Sequence, residues 1–161
     1  MFPAGEEVAR PAVPAGLTLA PIIRRIGGLV IDQIIVALPV AVAVVALGFT
    51  PSQHLTNRAL VLFSIAITCV GLVYETVMIA LLGRTVGKLA LGTRVVRSVD
   101  GGRPDWYEAA MRALVPLSLS AIPRVGVLLW AFVYSLAFWN PLRQGLHDKA
   151  AGTLVVYNTN T

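Results

Sequence analysis

Residues 26–49 read IGGLVIDQIIVALPVAVAVVALGF, an apolar run broken only by Asp32 and Gln33. A helix needs about 20 such residues to cross the hydrocarbon core of a bilayer, so this stretch is long enough for a span. Pro39 inside it is tolerated, because membrane helices re-satisfy the carbonyl that a proline frees. A second run, residues 59–82, is interrupted only by Glu75. A polar turn with Pro51, residues 50–58, joins the two runs.

The composition agrees with a lipid-facing surface. Charged residues make up 13% of the chain and hydrophobic residues 57%, with a mean hydropathy of +0.77. A soluble domain carries about 25% charged residues. The net charge of +5 raises nucleic acid as a partner. The basic residues are not clustered on a polar face with interleaved aromatics, so that partner is excluded. The lipid bilayer is the partner this composition calls for.

A third apolar region, residues 107–139, is broken by Pro116, Pro123 and Arg124. It reads either as one long, broken span or as two segments, 107–122 and 125–139. Each piece is short for a span, and a helical hairpin with a tilted or incompletely inserted first arm is the favoured reading. Trp106, Trp130 and Trp139 suit interfacial anchoring near segment ends. Residues 83–106 form a polar loop, in which the alternation over 93–99 and the turn Asp100-Gly101-Gly102 predict a small hairpin. Residues 153–157 read as a short strand. Residues 1–21, rich in Pro, Ala and Gly and without a signal peptide's pattern, are expected to form a disordered tail. The expected fold is therefore an all-α integral membrane domain over residues 22–157. It is a small bundle of about four membrane segments (26–49, 59–82, 107–122, 125–139) with a polar cytoplasmic loop and a C-terminal tail.

Basic residues set the orientation. Arg10, Arg24 and Arg25 precede the first span, and Arg84, Lys88, Arg94, Arg97 and Arg103 follow the second. Arg143 and Lys149 follow the last segment, whereas the intervening turns hold only Arg58 and Arg124. Both termini and the large loop are thus expected in the cytoplasm. That requires an even number of crossings, in favour of four segments.

Three charged residues stand out deep inside the segments: Asp32, Glu75 and Arg112. A charge at a span's centre costs about 2.5–3.5 kcal/mol on insertion scales and marks a candidate functional site. At 1.5 Å per residue, Asp32 and Glu75 each lie roughly 10 Å from the cytoplasmic end, and Arg112 about 8 Å. They are expected to meet in one layer, with Arg25 at its rim two helical turns from Asp32. Such a cluster serves either as a proton or cation site or as a charge network that fixes helix packing. Both readings stand at this point.

Other motifs carry no chemistry of their own. Gly83-Arg84-Thr85-Val86-Gly87-Lys88 is one residue short of a P-loop and lacks its Ser/Thr. His147-Asp148 is a lone pair in a chain with two histidines, so neither a metal site nor a catalytic pair is assembled. Cys69, the single cysteine, reads as a small buried apolar residue. Gly27 and Gly28 allow close helix approach. No cofactor, metal or enzymatic activity is expected.

The residues do resemble those of the RDD family of small bacterial membrane proteins, named for one arginine and two aspartates. Arg25 and Asp32, in RIGGLVID, are similar to the family's arginine at a helix start and aspartate within it. GRTVGKLALGTRVV, with Gly83, Thr85, Gly87 and Lys88, resembles its loop after the second helix. RQGLHDKAAGTLVV, with Arg143, His147 and Asp148, resembles its closing motif with the second aspartate. The resemblance implies a bacterial inner-membrane location and transport of an ion or small ligand. Intramembrane carboxylates would then act as proton or cation groups, with Asp148 as a further candidate. The alternative is a non-catalytic accessory or scaffold subunit of a larger complex, which four short segments also suit. A homo-oligomer or larger membrane complex is expected in either case.

Overall fold

The computed structural model of the chain describes residues 13–48, 57–120, 122 and 125–158. The expected tail over 1–12, most of the turn at 50–58 and the Pro123-Arg124 break lie outside the described residues.

Two long helices carry the first two apolar runs. Helix α1, Ile22–Ala46, starts directly after Pro21 and contains Pro39. It ends at Gly48, which takes φ +88°, a conformation only glycine adopts freely. Helix α2, Asn57–Leu82, follows. Both are long and apolar enough to cross a membrane. Only 11% and 17% of the residues in their most apolar windows are buried within the protein, so they are not core helices of a soluble domain. On α1 the buried residues are Gly28, Asp32 and Val36, one stripe at four-residue spacing. Val30, Ile34, Leu38, Val42 and Val45 are exposed around the rest of it, as lipid contact requires. Cys69 is also exposed, which corrects the expectation of a buried position.

The third apolar region folds as two helices, α4 (Trp106–Ser120) and α5 (Gly126–Ser135), with a 3-10 turn at Leu136–Phe138. They pack on each other, and α4 packs most extensively on α2. Trp106 and Trp139 are exposed near the ends of this pair, whereas Trp130 turns inward beside Tyr134, ring centroids 5.0 Å apart.

The fold is not purely helical. Strand β1 (Thr93–Arg97) pairs antiparallel with β2 (Thr153–Tyr157). The small hairpin expected in the 83–106 loop is thus replaced by a long-range pairing. Leu19 adds a bridge to Val156, and Ala20 is fully buried. Part of the expected tail is therefore packed. Val96, Leu154 and Val156 form one small core with Leu17, Leu19 and Leu142 against them. Val95 and Val155 join Ile79, Ala80 and Ala109 in the other. Alternate residues of each strand point to opposite faces, so the two-stranded sheet is covered on both.

Each strand follows a five-residue helix, α3 (Val86–Ala90) or α6 (Leu146–Ala150). These two units are an internal repeat. Ala90, Gly92, Thr93, Val95 and Val96 recur as Ala150, Gly152, Thr153, Val155 and Val156. Gly92 and Gly152 both turn the chain with positive φ, +63° and +61°. In the sheet Val95 pairs with its own counterpart Val155, so a local two-fold axis passes between them. Lys88 and Asp148 occupy equivalent positions in the repeat, and both are buried.

Candidate functional site

Asp32 projects from the buried stripe of α1 into the turn after α2. Its carboxylate accepts hydrogen bonds from the Tyr74 hydroxyl at 2.8 Å, the Thr85 hydroxyl at 2.5 Å and the Gly87 N–H at 2.8 Å. Thr85 is also the N-cap of α3. Gly28 and Gly87 let the backbones approach here: a Cβ on Gly87 would collide with the Gly28 carbonyl and lie 2.9 Å from the Asp32 carboxylate. The segment that superficially resembles a P-loop is therefore a docking turn, its Gly87 N–H already taken by a carboxylate of the chain.

From Asp32 a chain of alternating charge crosses the protein. Lys88 Nζ lies 3.7 Å from Asp32 and 3.9 Å from Glu75. Glu75 lies 3.7 Å from Arg112 Nε. Arg112 pairs directly with Asp148 and donates to the Thr153 hydroxyl at 3.1 Å. Asp148 also pairs with Arg25 and caps its own helix by accepting from Gly145 N–H at 3.0 Å. Arg25 reaches on to the Arg143 carbonyl. Arg143, held at φ +52°, donates to the carbonyls of Leu19 and Ala20. Three carboxylates alternate with three cations, so the network is formally neutral, as burial demands.

Asp32, Glu75 and Arg112 are brought into one chain of ion pairs, which Arg25 ends. Two groups expected as separate motifs join it. Lys88 of the loop motif links Asp32 to Glu75, and Asp148 of the closing motif links Arg112 to Arg25. Gly83 ends α2, its N–H on the Ile79 carbonyl and its carbonyl on the β1 Val95 N–H, both at 2.8 Å. Tyr74 and Tyr134 were not singled out from the sequence; for Tyr74 the available signal was a hydroxyl next to Glu75 inside an apolar run.

Asp32 and Asp148 are saturated with hydrogen bonds. Glu75 accepts none among the described residues and has only its two ion pairs. It lines both a small cavity of about 30 Å³ beside Asp32 and a larger one of about 330 Å³. The larger cavity is bounded by α1, α5 and the turn after it, with Arg25, Lys88, Arg112, Tyr134 and His147 on its polar side. His147 packs against Tyr134 with the rings tilted and their centroids 4.4 Å apart. Among the described residues neither of its ring nitrogens has a hydrogen-bond partner, since Asp148, 3.5 Å from Nε2, is poorly placed for one. Among the described residues no three His, Cys, Asp or Glu side chains converge as a metal site would require.

The chain matches the RDD family over residues 19–152. It belongs to the RDD family. No curated protein and no solved structure matches it. The family match and the two apolar helices together place the protein in a membrane. Arg25, Asp32 and Asp148 sit at the two ends of one charge network in this RDD protein.

Burial holds the His147 imidazole well below its usual range, and Arg112, Arg25 and Lys88 add to the effect by repulsion. Unfolded histidine takes up its proton near pH 6.5. Below that pH the unfolded state binds more protons than the folded one, so stability present above about pH 6.5 is lost as the pH falls. His147→Gln is expected to flatten that part of the profile. Unfolding midpoints of the two proteins in detergent between pH 5 and 8 check this; parallel profiles would contradict it.

Proposed function

We propose that this protein is a multi-pass carrier of the bacterial inner membrane, moving an ion or small ligand with Glu75 as the group that exchanges a proton or cation. One observation carries the reading. Of the three network carboxylates, Glu75 alone accepts no hydrogen bond among the described residues, and it alone lines both cavities. Asp32 and Asp148 are given over to holding α3 and α6 in place. An ionisable residue facing a cavity inside a bundle marks a substrate or ion pathway by default. In this reading α4 and α5 are the third and fourth membrane segments, both termini are cytoplasmic, and the role is non-enzymatic.

The test is flux in liposomes holding the full chain and a trapped pH indicator, under imposed sodium, potassium and chloride gradients. The wild type is expected to couple at least one gradient to a pH change. Glu75→Gln should lower the rate at least tenfold while keeping the unfolding midpoint. Absence of any coupled pH change, or equal rates in the two proteins, would overturn the reading.

A second reading rests on helix length. With 15 and 10 residues, α4 and α5 reach only about 23 and 15 Å at 1.5 Å per residue, short of a core of about 30 Å. A bundle of this kind suits an accessory subunit whose path is completed by other chains. Purification in mild detergent distinguishes the two: a stoichiometric larger partner favours the accessory role, and a homo-oligomer favours the carrier.

A further inference from the structure

We propose that the 330 Å³ cavity binds an anionic amphiphile, its carboxylate or phosphate head on Arg112, Lys88 and Arg25 and its apolar body along Ile26, Leu29 and Trp130.

Charge selects the head. The cavity wall carries three cations, Arg25, Lys88 and Arg112, against the single carboxylate of Glu75. Asp32 and Asp148, which balance the network as a whole, do not line it. The wall is thus cationic although the network is neutral.

Unused hydrogen-bonding capacity points the same way. Arg112 Nε is buried without a hydrogen-bond partner among the described residues, its carboxylate neighbour Glu75 standing off at 3.7 Å. Lys88 Nζ, with three protons to donate, makes one hydrogen bond among the described residues, to the Thr85 hydroxyl at 3.3 Å. His147, 1% exposed, is a lining residue whose ring nitrogens have no hydrogen-bond partner among the described residues, and its neutral ring has one N–H to donate. Buried donors left unmade are unfavourable, and the residues that carry these, Arg112, Lys88 and His147, all line this cavity. An oxyanion supplies the acceptors they lack.

The apolar part is set by the remaining wall. Ile22, Ile26, Leu29, Val30, Trp130 and Phe138 complete it, and Ile26, Val30 and Phe138 are also exposed at the protein's outer surface. The cavity therefore opens laterally on the surface that α1 presents to lipid. An anion without an apolar body would leave this wall uncovered, and a cationic amphiphile would meet the three basic groups. The volume lies at the lower end of the range of about 300–1,000 Å³ for ligand sites. It takes a head group and a few methylenes, with a longer tail running out between α1 and the turn after α5.

Such a ligand is either a membrane lipid or a soluble amphipathic anion. The inference names the ligand class of the site on which the carrier reading rests, and it is tested by equilibrium binding rather than flux. Full-length protein in phosphatidylcholine nanodiscs is titrated with radiolabelled decanoate and challenged with decanol, decyltrimethylammonium and inorganic phosphate. Saturable decanoate binding is expected, with each challenger at least tenfold weaker. Competition by phosphatidic acid in the nanodisc identifies the lipid source; decanoate binding unaffected by it identifies the soluble one.

Lys88→Met should weaken decanoate binding at least tenfold. Should that variant not fold, Ala131→Phe, which narrows the cavity from α5 and leaves the charge network intact, should abolish it. No saturable binding, equal binding of the neutral or cationic analogue, or wild-type affinity in the folded variants would overturn the inference. Intact decanoate binding without coupled flux would sink the carrier reading alone, and coupled flux without anion selectivity would sink this inference alone.

Discussion

Replacing Asp148 with alanine is expected to destabilise the protein by about 3–5 kcal/mol, the cost of removing one partner from a buried ion pair. Asp148 is fully buried and is the shared counter-ion of Arg25 and Arg112. Its removal leaves Arg25 without a carboxylate partner among the described residues and Arg112, almost wholly buried, with only Glu75 at 3.7 Å. It also strips the acceptor from Gly145 N–H at the start of α6, and loss of such a cap alone costs about 1 kcal/mol. Asp148→Asn keeps an acceptor for Gly145 but not the charge, and should fall between alanine and wild type. Unfolding in detergent, followed by circular dichroism against denaturant, measures this. A variant within 1 kcal/mol of wild type would show that Asp148 is not the counter-ion of both arginines.

Gly87→Ala is expected to cost about 3 kcal/mol or more. Overpacking alone costs about 1–3 kcal/mol, and a hydrogen bond to a charged group contributes about 1.5–3 kcal/mol. Here the added methyl would meet the Gly28 carbonyl, a backbone atom that cannot turn aside. Helix α3 must then lift from α1, stretching the Gly87 and Thr85 hydrogen bonds to Asp32 and drawing Lys88 away from Glu75. Gly27→Ala is the control. Its methyl would meet the end of the Leu91 side chain at 2.6 Å, which can rotate away, so a loss of about 1 kcal/mol or less is expected. Equal losses in the two variants would show that the α1–α3 crossing is not what Gly87 secures.

Much of the site was legible in the chain. Asp32, Glu75 and Arg112 stood out because a charge in an apolar run is rare and costly, and the rise of a helix placed them at similar depth. What the chain did not show is how the layer is joined. Lys88 lies 13 positions after Glu75, in a loop whose basic residues also serve as a topology signal, and nothing local distinguishes it from Arg84 or Arg94. Arg25 and Asp148 are 123 residues apart. Reading for repeats would have helped: the recurrence of Ala90, Gly92, Thr93, Val95 and Val96 sixty positions later links the two loops and predicts that Lys88 and Asp148 are equivalent.

The strands show the same division. Alternation over 93–99 and the apolar run at 153–157 marked both as extended, but a strand carries no mark of its partner. The turn Asp100-Gly101-Gly102 suggested a local hairpin. Instead Asp100 binds Arg97 and the Gly102 N–H within the turn, while β1 pairs with β2. That pairing buries Val95, Val96, Leu154, Val155 and Val156 between two apolar clusters, which a solvated hairpin would leave half exposed.

By itself the sequence determined that this is a helical membrane protein of the RDD family, with charged residues at one depth in its segments. The helical, membrane-crossing character and the expected depth of the charges follow from local quantities, the length of an apolar run, the rise of a helix and the cost of a charge in lipid; the family follows from its motifs. Only the tertiary structure decided that the charges form one alternating, neutral network, that Asp32 and Asp148 are saturated while Glu75 is not, and that a cationic wall faces a cavity. These depend on how α3 and α6 fold back against α1 and α4. That packing is set by contacts between distant parts of the chain, where two glycines meet and where one carboxylate lies between two arginines.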